Sequence, residues 1–201
     1  ADNPDFDVLF WVGCAGSFDD RAKKISIAFS KLLKKAGVNF AILGAEEQCN
    51  GDLARRTGNE YLADMLIKMN IETLSRYNVK KIVTICPHCF NTFKNDYPDF
   101  GGNFEVVHHA TFLKDLIENG RLKLKQNGSK SIAYHDSCYL GRYNNIYDDP
   151  RDTLRKVPGL NVIEPERTGD RGFCCGAGGG QMFMEENAGK RVNVERTEEL
   201  L

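Results

Sequence analysis

The chain has 201 residues, of which 41% are apolar and 27% are charged, and its formal net charge at neutral pH is -1. This balance is typical of a soluble globular protein with one large or two small domains, with no basic patch for nucleic acid and no apolar run that could span a membrane. The polar N-terminus is unlike a signal peptide and lacks an initiator Met. We therefore expect a cytoplasmic protein that is a piece of a longer polypeptide, with any membrane association provided by missing segments or partner subunits.

Strands and helices alternate through the first part of the chain. Buried strands are predicted over 7–12, 38–43 and 80–85, and amphipathic helices over 21–36 and 59–77. Short links between these elements predict an α/β fold, with a small parallel sheet flanked by helices. Ligands bind beyond the carboxyl ends of strands in such sheets, so the loops that follow the strands are the first candidates for a functional site.

A polar stretch divides the chain into a first unit, 1–125, and a second unit, 126–201. The remaining predicted elements are a short helix over 90–97, a strand over 106–109, a helix over 111–118 and two further strands over 131–135 and 161–164. The second unit therefore starts as the first one does, with a strand that runs into a cysteine loop. We expect both units to be of the same α/β type, with their cysteine loops at the carboxyl edge of the strands.

The cysteines repeat between the two units. They are Cys14, Cys49, Cys86, Cys89, Cys138, Cys174 and Cys175. Cys14 and Cys49 are separated by 34 residues, and Cys138 and Cys174 by 35; Cys49 begins the sequence CNG and Cys174 the sequence CCG. This spacing predicts an internal duplication, in which the match to the CxxC of the first unit would fall near position 209, beyond Leu201.

The chemistry of the cysteine sets points to metal rather than to disulfides. Without an export signal we expect a reducing compartment, where cysteines serve more often as ligands, catalysts or core residues. The four thiols of the first unit can complete a [4Fe–4S] cluster or a tetrahedral zinc site. They are Cys14, Cys49, Cys86 and Cys89. The adjacent Cys174 and Cys175 have diverging side chains that one ion does not easily accommodate, so the second unit favours iron–sulfur over zinc.

The pattern C-x34-CNG-x34-CPHC followed by C-x35-CCG resembles the cysteine-rich CCG domain. That domain occurs twice in the B-type subunit of heterodisulfide reductases, and also in iron–sulfur subunits that oxidise glycerol 3-phosphate, glycolate and lactate. The segment 172–186, GFCCGAGGGQMFMEE, is similar to membrane-linked iron–sulfur oxidoreductases of this family. The resemblance covers nearly the whole chain, from about Val8 to the end.

The resemblance implies an electron-transfer subunit, or a fragment, of an iron–sulfur oxidoreductase. In the family a five-cysteine motif holds a noncubane [4Fe–4S] cluster, and Cys138, Cys174 and Cys175 match three of its five ligands. Asn50 replaces one cysteine in the first unit, so a cubane cluster or zinc fits the four remaining thiols better. The implied partners are other redox subunits, such as electron-transfer flavoprotein or a flavin dehydrogenase, with quinone as an electron acceptor.

Two alternatives from other functional classes remain open. One is a zinc-stabilised structural or interaction module built on the first four cysteines. The other is a thiol–disulfide oxidoreductase that uses Cys86 and Cys89, because a CxxC turn between a strand and a helix stabilises a thiolate. The dithiol hypothesis leaves five of the seven cysteines unexplained and lacks the export signal that it would need.

Four histidines lie close to the cysteines or to strand ends: His88, His108, His109 and His135. His88 is expected either at the surface or as a hydrogen-bond donor to a cluster. His108 and His109 are expected in the core or behind the ligands. His135 and Asp136 could act in acid–base chemistry, but a strand-end turn in which Asp136 caps local amides is the plainer interpretation.

Other features near the cysteines also have plain interpretations. The glycine-rich run 176–180 lacks the spacing of a phosphate-binding loop, and we expect it to bring backbone N–H groups close to sulfur. Glu46 and Glu47 are expected in a solvated loop. Met182 and Met184 are expected in the core or at a partner contact.

Overall fold

The structure, a computed structural model, describes residues 5–126, 128–186 and 189–201, which form two compact units that divide between Lys123 and Leu124. All strand pairs among these residues are parallel, so the predicted α/β class is confirmed. The predicted domain limits remain a prediction. Within the described ranges no helix has both the length and the apolar character to cross a membrane.

The first unit is built on a four-stranded sheet in the order β2-β1-β3-β4. Its strands are β1 Val8–Trp11, β2 Phe40–Ala41, β3 Lys81–Thr84 and β4 Glu105–His108. The central strands β1 and β3 are almost wholly buried, which accounts for the apolar sequence of β1 and for the apolar Ile82 and Val83 of β3. Trp11 pairs with Thr84 at the ends of these two strands, so the segments after both strands start at the same sheet edge.

Helices follow each strand of the first unit. Those among the described residues are α1 Gly13–Phe18, α2 Asp20–Lys35, α3 Asp52–Arg56, α4 Glu60–Arg76, α5 Pro87–Asn91 and α6 His109–Glu118. The side chain of Asp19 caps α2 by accepting the Ala22 N–H at 2.7 Å, and Asn59 caps α4 by accepting the Leu62 N–H at 3.1 Å. These caps explain where the two long predicted helices begin.

Two local predictions for the first unit are wrong, and both concern cysteine segments. Cys14 lies inside α1, which follows β1 almost directly, rather than in a loop. The helix predicted over 90–97 begins earlier, at Pro87, and a π-helical turn, Thr92–Asp96, continues it. Proline suits the first helical position because its missing N–H would have no partner there. Cys86 is consequently the N-cap of α5, and Cys89 lies within that helix.

The core of the first unit reaches the cysteine segments. Trp11 has no exposed surface and packs edge-on against Phe93, with ring centroids 4.6 Å apart. Phe93 contacts Tyr97 in turn, with centroids 4.4 Å apart. Cys89 belongs to the same buried cluster. The expectation of a buried Trp11 is confirmed, and the candidate site rests directly on the packed core.

Gly51, immediately before α3, provides a test of the tight turn after Cys49. Its φ is 92°, and a Cβ atom there would lie 3.2 Å from Ile67 Cγ1 and 3.3 Å from the Ala63 carbonyl oxygen. We expect Gly51→Ala to lower the free energy of unfolding by about 1–3 kcal/mol, because left-handed strain and crowding both oppose the methyl group. Urea denaturation measures the loss. Gly58→Ala is the matched control, since Gly58 has a φ of 87° but open space around it. Equal losses in both variants would contradict the contribution from crowding.

The second unit contains a two-stranded parallel sheet, formed by β5 Lys130–Ala133 and β6 Leu160–Ile163. Its described helices are α7 Gly141–Asn144, α8 Asp148–Arg155 and α9 Val192–Leu200. Helix α8 packs against β6. The sequence pattern predicted the two strands but not α7 or α8, which are short and rich in polar residues.

Candidate functional site

The structure brings the four cysteines of the first unit together. Cys14 follows β1, Cys86 follows the neighbouring β3, Cys89 lies one helical turn further on, and Cys49 precedes α3. Burial, and then the charges of Cys49 and Cys86, raise the pKa of Cys14, so these thiols lie within electrostatic reach of one another. A Cβ atom on Gly13 would lie 3.4 Å from Cys89 Sγ. The backbone next to Cys14 therefore directly approaches the sulfur of Cys89.

Cys86 and Cys89 form a hydrogen-bonded pair at the N-terminus of α5. The hydrogen bond from Cys89 lowers the pKa of Cys86 to about 6, although burial opposes this shift. The same bond, followed by burial and the Cys86 charge, raises the pKa of the Cys89 thiol. The lowered pKa favours the thiolate of Cys86, which is the form that binds metal and the form that attacks disulfides.

A buried hydrogen-bond network holds the backbone on both sides of the Cys49–Asn50 peptide. The Asn70 side-chain amide donates to the Cys49 carbonyl at 2.9 Å and to the Tyr97 hydroxyl at 3.2 Å. Tyr97 donates in turn to the Asn50 carbonyl at 3.1 Å. Asn70 and Tyr97 are 2% and 0% exposed, so neither has bulk water as an alternative partner. The backbone that carries the Cys49 thiol is therefore held from the core.

His88 is half-buried and held by a carboxylate rather than exposed. Its Nδ1 lies 2.8 Å from Asp52 Oδ2, and Asp52 Oδ1 also accepts hydrogen bonds from Arg56 and Thr92, each at 3.2 Å. Burial raises the pKa of Asp52, but the bonds and charges of His88 and Arg56 outweigh it and the net direction is down. The Asp52 carboxylate therefore fixes the ring of His88 between the two ligand candidates of the CxxC turn.

The interpretation of Glu47 as part of a solvated loop is wrong. Its carboxylate accepts the backbone N–H groups of Val12 and Gly13, at 3.0 and 2.6 Å, directly before Cys14. Burial raises the pKa of Glu47 in spite of these two bonds. Glu46 does remain exposed, where it accepts a hydrogen bond from the Tyr77 hydroxyl at 2.7 Å. Sequence reasoning missed Glu47 because nothing in a Glu-Glu pair tells which carboxylate turns inwards.

Removing the Glu47 carboxylate is expected to destabilise the turn that leads to Cys14. Glu47→Leu should lower the free energy of unfolding by about 1–3 kcal/mol, because the Val12 and Gly13 amides lose their acceptor in a poorly hydrated place. Glu47→Gln keeps one acceptor oxygen, so its free energy of unfolding should fall by less. Denaturation of the metal-free chain, followed by far-UV circular dichroism, measures both variants. A Gln variant as unstable as the Leu variant would count against this assignment.

His108 is buried, His109 beside it is partly buried, and the two rings are bonded to each other, in line with their expected place in the core or behind the ligands. His108 Nε2 lies 3.3 Å from the Ile85 carbonyl and 3.1 Å from His109 Nδ1, while His108 Nδ1 accepts the Ala110 N–H at 3.4 Å. Burial lowers the pKa of His108 to about 3 and that of His109 to about 4. Both rings are therefore neutral at physiological pH and act as packing and hydrogen-bonding groups.

The three cysteines of the second unit line one cavity, together with Arg142, Tyr147 and His135. Burial, and then the charges of Cys175 and Cys174, raise the pKa of Cys138. The Gly176 N–H donates to Cys174 Sγ at 3.3 Å, so the glycine-rich run does bring a backbone amide to sulfur. Its further role in holding a cluster remains a prediction.

Asp136 behaves as a structural carboxylate but not as a local cap. It accepts the N–H of Gly169 at 2.7 Å, from a turn 33 residues away, and both of its oxygens accept from the buried Arg151, at 2.7 and 2.8 Å. His135 Nδ1 accepts a hydrogen bond from Arg196 Nε at 3.0 Å. Sequence reasoning missed both arginines, since an isolated Arg in a polar helix gives no sign of burial.

The methionines near the CCG sequence are exposed. Met182 and Met184 have 57% and 46% of their surface accessible, and Phe183 between them has 65%. The core alternative for these methionines is therefore wrong, and the partner contact remains a prediction.

The donor set of the first unit is four thiols, a set that can hold either an iron–sulfur cluster or a zinc ion. Across the described residues, no three Cys, His, Asp or Glu side chains converge tightly enough to hold a single metal ion. Sulfur atoms around tetrahedral zinc lie about 3.8 Å apart, given Zn–S bonds of about 2.3 Å. Two buried donors in the cysteine-bearing segments, Trp11 Nε1 and Asn50 Nδ2, have no hydrogen-bond partner among the described residues. Four thiols with unpaired N–H donors nearby match the hydrogen-bonding needs of an anionic cluster.

Comparison with known proteins gives relatives for nearly the whole chain. It is 53% identical over 197 residues to the "Probable iron-sulfur-binding oxidoreductase FadF" of Bacillus subtilis, covering 98% of this chain and 28% of that protein. It is 49% identical to the "EtfAB:quinone oxidoreductase" of Syntrophomonas wolfei, covering 100% of this chain and 29% of that protein. It is 38% identical to the D-type subunit of the dihydromethanophenazine:CoB–CoM heterodisulfide reductase of Methanosarcina mazei, covering 87% of this chain and 44% of that protein.

The chain spans less than half the length of each of these relatives. The model of the cysteine-rich CCG domain matches residues 8–94 and again residues 132–201, so each match contains one of the two cysteine sets. The matched residues and the parallel α/β units agree with the resemblance to the CCG domain that the cysteine spacing indicated. The chain belongs to the cysteine-rich CCG domain family.

Proposed function

We propose that this chain transfers electrons within an oxidoreductase complex through an iron–sulfur cluster held by the first unit. The ligands would be Cys14, Cys49, Cys86 and Cys89. The observation that carries the proposal is the meeting of these four thiols from three segments of one parallel sheet, beside buried N–H donors without partners among the described residues. Four thiolates can complete a cubane [4Fe–4S] cluster.

The residues around the thiols have separate roles in this proposal. The hydrogen bond from the Cys89 thiol, supported by the Cys89 and His88 amides at the start of α5, lowers the pKa of Cys86 and favours the thiolate that binds iron. Glu47 fixes the turn before Cys14, and Asn70 fixes the turn at Cys49, so two of the ligands are positioned before any cluster arrives. When bound, a cluster supplies a one-electron carrier. Its potential would depend on the hydrogen bonds and burial that these residues provide.

The second unit would hold a noncubane cluster once two further cysteines complete its motif. Cys138, Cys174 and Cys175 line one cavity and match three of the five cysteines of the family motif. A complete motif requires two further cysteines, which the duplication places near position 209. Arg142, which donates to the carbonyls of Asp170 at 3.2 Å and of Gly172, would stabilise the loop that leads to the CCG sequence.

The relatives suggest which partners to test. One relative is named an EtfAB:quinone oxidoreductase, and another is the D-type subunit of a heterodisulfide reductase. We therefore propose electron-transfer flavoprotein as donor and quinone as final acceptor, reached through parts of the protein or complex outside this chain. A third relative, 43% identical, is named a membrane-anchored ferredoxin, which supports membrane association through such other parts. Similarity to the B-type subunit of heterodisulfide reductases in particular stays a prediction.

Metal analysis of anoxically purified protein tests this function. We expect about four irons and four acid-labile sulfides per chain in the first unit, with an EPR signal after reduction by dithionite. Cys14→Ser should remove that signal, whereas Cys138→Ser, the matched change in the second unit, should leave it in place. One zinc without sulfide would replace the electron-transfer proposal by a structural module.

A specific observation also supports the dithiol alternative. The pKa of Cys86 is lowered to about 6, and Cys89 lies in hydrogen-bonding contact with it, as in a redox-active CxxC pair. Protein without iron, sulfide or zinc, purified without oxygen, should then form an internal Cys86–Cys89 disulfide with an oxidised dithiol. Absence of that disulfide by mass spectrometry would rule out this alternative.

A further inference from the structure

Asn50 occupies the position at which the second unit has a cysteine. Cys49, Asn50 and Gly51 match Cys174, Cys175 and Gly176 in sequence. The backbone matches as well: Gly51 and Gly176 have φ values of 92° and 75°. A Cβ atom on either glycine would meet the residue 16 positions further on, Ile67 at 3.2 Å or Val192 at 3.1 Å. The two turns therefore share a left-handed glycine at the matching position, which supports placing Asn50 where the second unit has Cys175.

The Asn50 amide is buried, held in one orientation and unpaired on its donor side. Asn50 is 4% exposed. Its Oδ1 accepts the Asp52 N–H at 3.2 Å, which identifies the oxygen end of the amide and leaves Nδ2 pointing elsewhere. Nδ2 has no hydrogen-bond partner among the described residues. A buried amide donor without a partner is costly, so such a group indicates a missing ligand.

The position of Asn50 next to the cysteines favours sulfur as that ligand. In the second unit Cys175 lies within electrostatic reach of Cys138, the counterpart of Cys14. Tyr97, which donates to the Asn50 carbonyl, is raised in pKa by burial and then by the charges of Cys89 and Cys49. Asn50 directly follows Cys49, and the hydroxyl that holds its carbonyl lies within electrostatic reach of Cys89 and Cys49, so the Asn50 turn lies close to two of the four thiols of the first unit.

We propose that Asn50 donates an Nδ2–H hydrogen bond to a sulfur atom of the cluster in the first unit, in the place where the second unit has a thiolate. The inference rests on the proposed iron–sulfur function. Asn50 is thus a positioning and tuning residue: it limits the first unit to four thiolate ligands and stabilises the more negative, reduced state. Its hydrogen bond should raise the reduction potential of that cluster.

EPR-monitored redox titration of the full chain, with the first-unit signal defined by its loss in Cys14→Ser, tests the proposal. Asn50→Leu should keep the iron and sulfide content but shift the midpoint potential to a lower value. Asn50→Asp should shift it further, since it adds a charge. Asn39→Leu is the control, because it makes the same chemical change at the opposite end of the strands, just before β2. An unchanged potential in iron-loaded Asn50→Leu would overturn the proposal.

A measurement on the unsubstituted chain decides the matter even where the variants lose their cluster. With asparagine side chains labelled by 15N, the reduced cluster should show hyperfine coupling to one amide nitrogen and to one exchangeable proton. A loaded cluster that lacks both couplings would overturn the role of Asn50 and leave the proposed function standing. A chain that binds no cluster under anoxic reconstitution would overturn both.

Discussion

Arg151→Leu is expected to lower the free energy of unfolding of the second unit by about 3–5 kcal/mol, because it leaves a buried carboxylate without its cation. Arg151 is 7% exposed. Its guanidinium binds both oxygens of Asp136, at 2.7 and 2.8 Å, and both oxygens of Glu164, each at 2.8 Å. It also lies over the ring of Tyr134, 5.0 Å from the centroid. This one side chain joins α8, β6 and the turn that precedes Cys138.

Arg155→Leu is the matched control for this prediction. Arg155 belongs to the same helix and contacts the same Glu164, at 3.5 Å, but its side chain is 57% exposed. Removing the Arg155 side chain should lower the free energy of unfolding by under about 1 kcal/mol, as for most surface ion pairs. Hydrogen exchange of the amides in β5 and β6 measures both variants. Similar protection in the two variants would show that burial does not set the strength of this network.

The same network predicts acid sensitivity of the second unit. Burial raises the pKa of Asp136, but the bonds from Arg151 and the Gly169 N–H outweigh it and hold the pKa below its ordinary value. The hydrogen bond from Arg151 also lowers the pKa of Glu164. The unfolded chain therefore binds more protons than the folded one as the pH falls. The stabilisation is complete above about pH 5 and is lost as the pH drops through about 4 towards the folded pKa values. The free energy of unfolding, measured against pH, should therefore fall below about pH 5. The same pH dependence in Arg151→Leu would contradict this origin.

The sequence predicted the fold wherever local pattern and burial coincide. The apolar stretch VLFW of β1 and the apolar pair Ile82–Val83 of β3 are buried, as the sequence pattern predicts for central parallel strands. The cysteine candidates of the first unit were found by the same logic, because neighbouring parallel strands deliver their downstream segments to one edge of the sheet. The π-helical turn after α5 has no such signature, since it depends on contacts with Asp52 and Arg56 from another part of the chain.

Polar residues that support the site could not be predicted from sequence. Glu47, Asp52 and Arg151 are ordinary surface residue types, and only tertiary structure shows that each is turned inwards to satisfy a specific partner. Asn50 is an intermediate case. The spacing revealed it as a departure from the cysteine pattern, but its unpaired amide became evident only from the buried turn in which it sits.

Trp11→Ala is expected to destabilise the first unit by about 3–5 kcal/mol, because it opens a large cavity directly under the cysteine segments. Trp11 is 0% exposed and contacts Phe93 edge-on, with centroids 4.6 Å apart and an angle of 74°. Trp11→Phe keeps an aromatic ring there and removes the Nε1–H, which is unpaired among the described residues, so its loss of packing is partly offset. We expect the decrease in the free energy of unfolding of the Phe variant to be less than half of that of the Ala variant.

Urea denaturation followed by far-UV circular dichroism compares these variants, since the chain has one tryptophan and both changes remove its fluorescence. Tyr61→Ala, at a side chain that is 78% exposed, is the control and should change stability by under about 0.5 kcal/mol. Equal losses for Trp11→Phe and Trp11→Ala would mean that the indole N–H, and not the ring, stabilises this position. In that case the Trp11 N–H would have an acceptor in the folded protein. Asn50 Nδ2 would then be the remaining one of the two donors near the cysteine segments that lack a partner among the described residues.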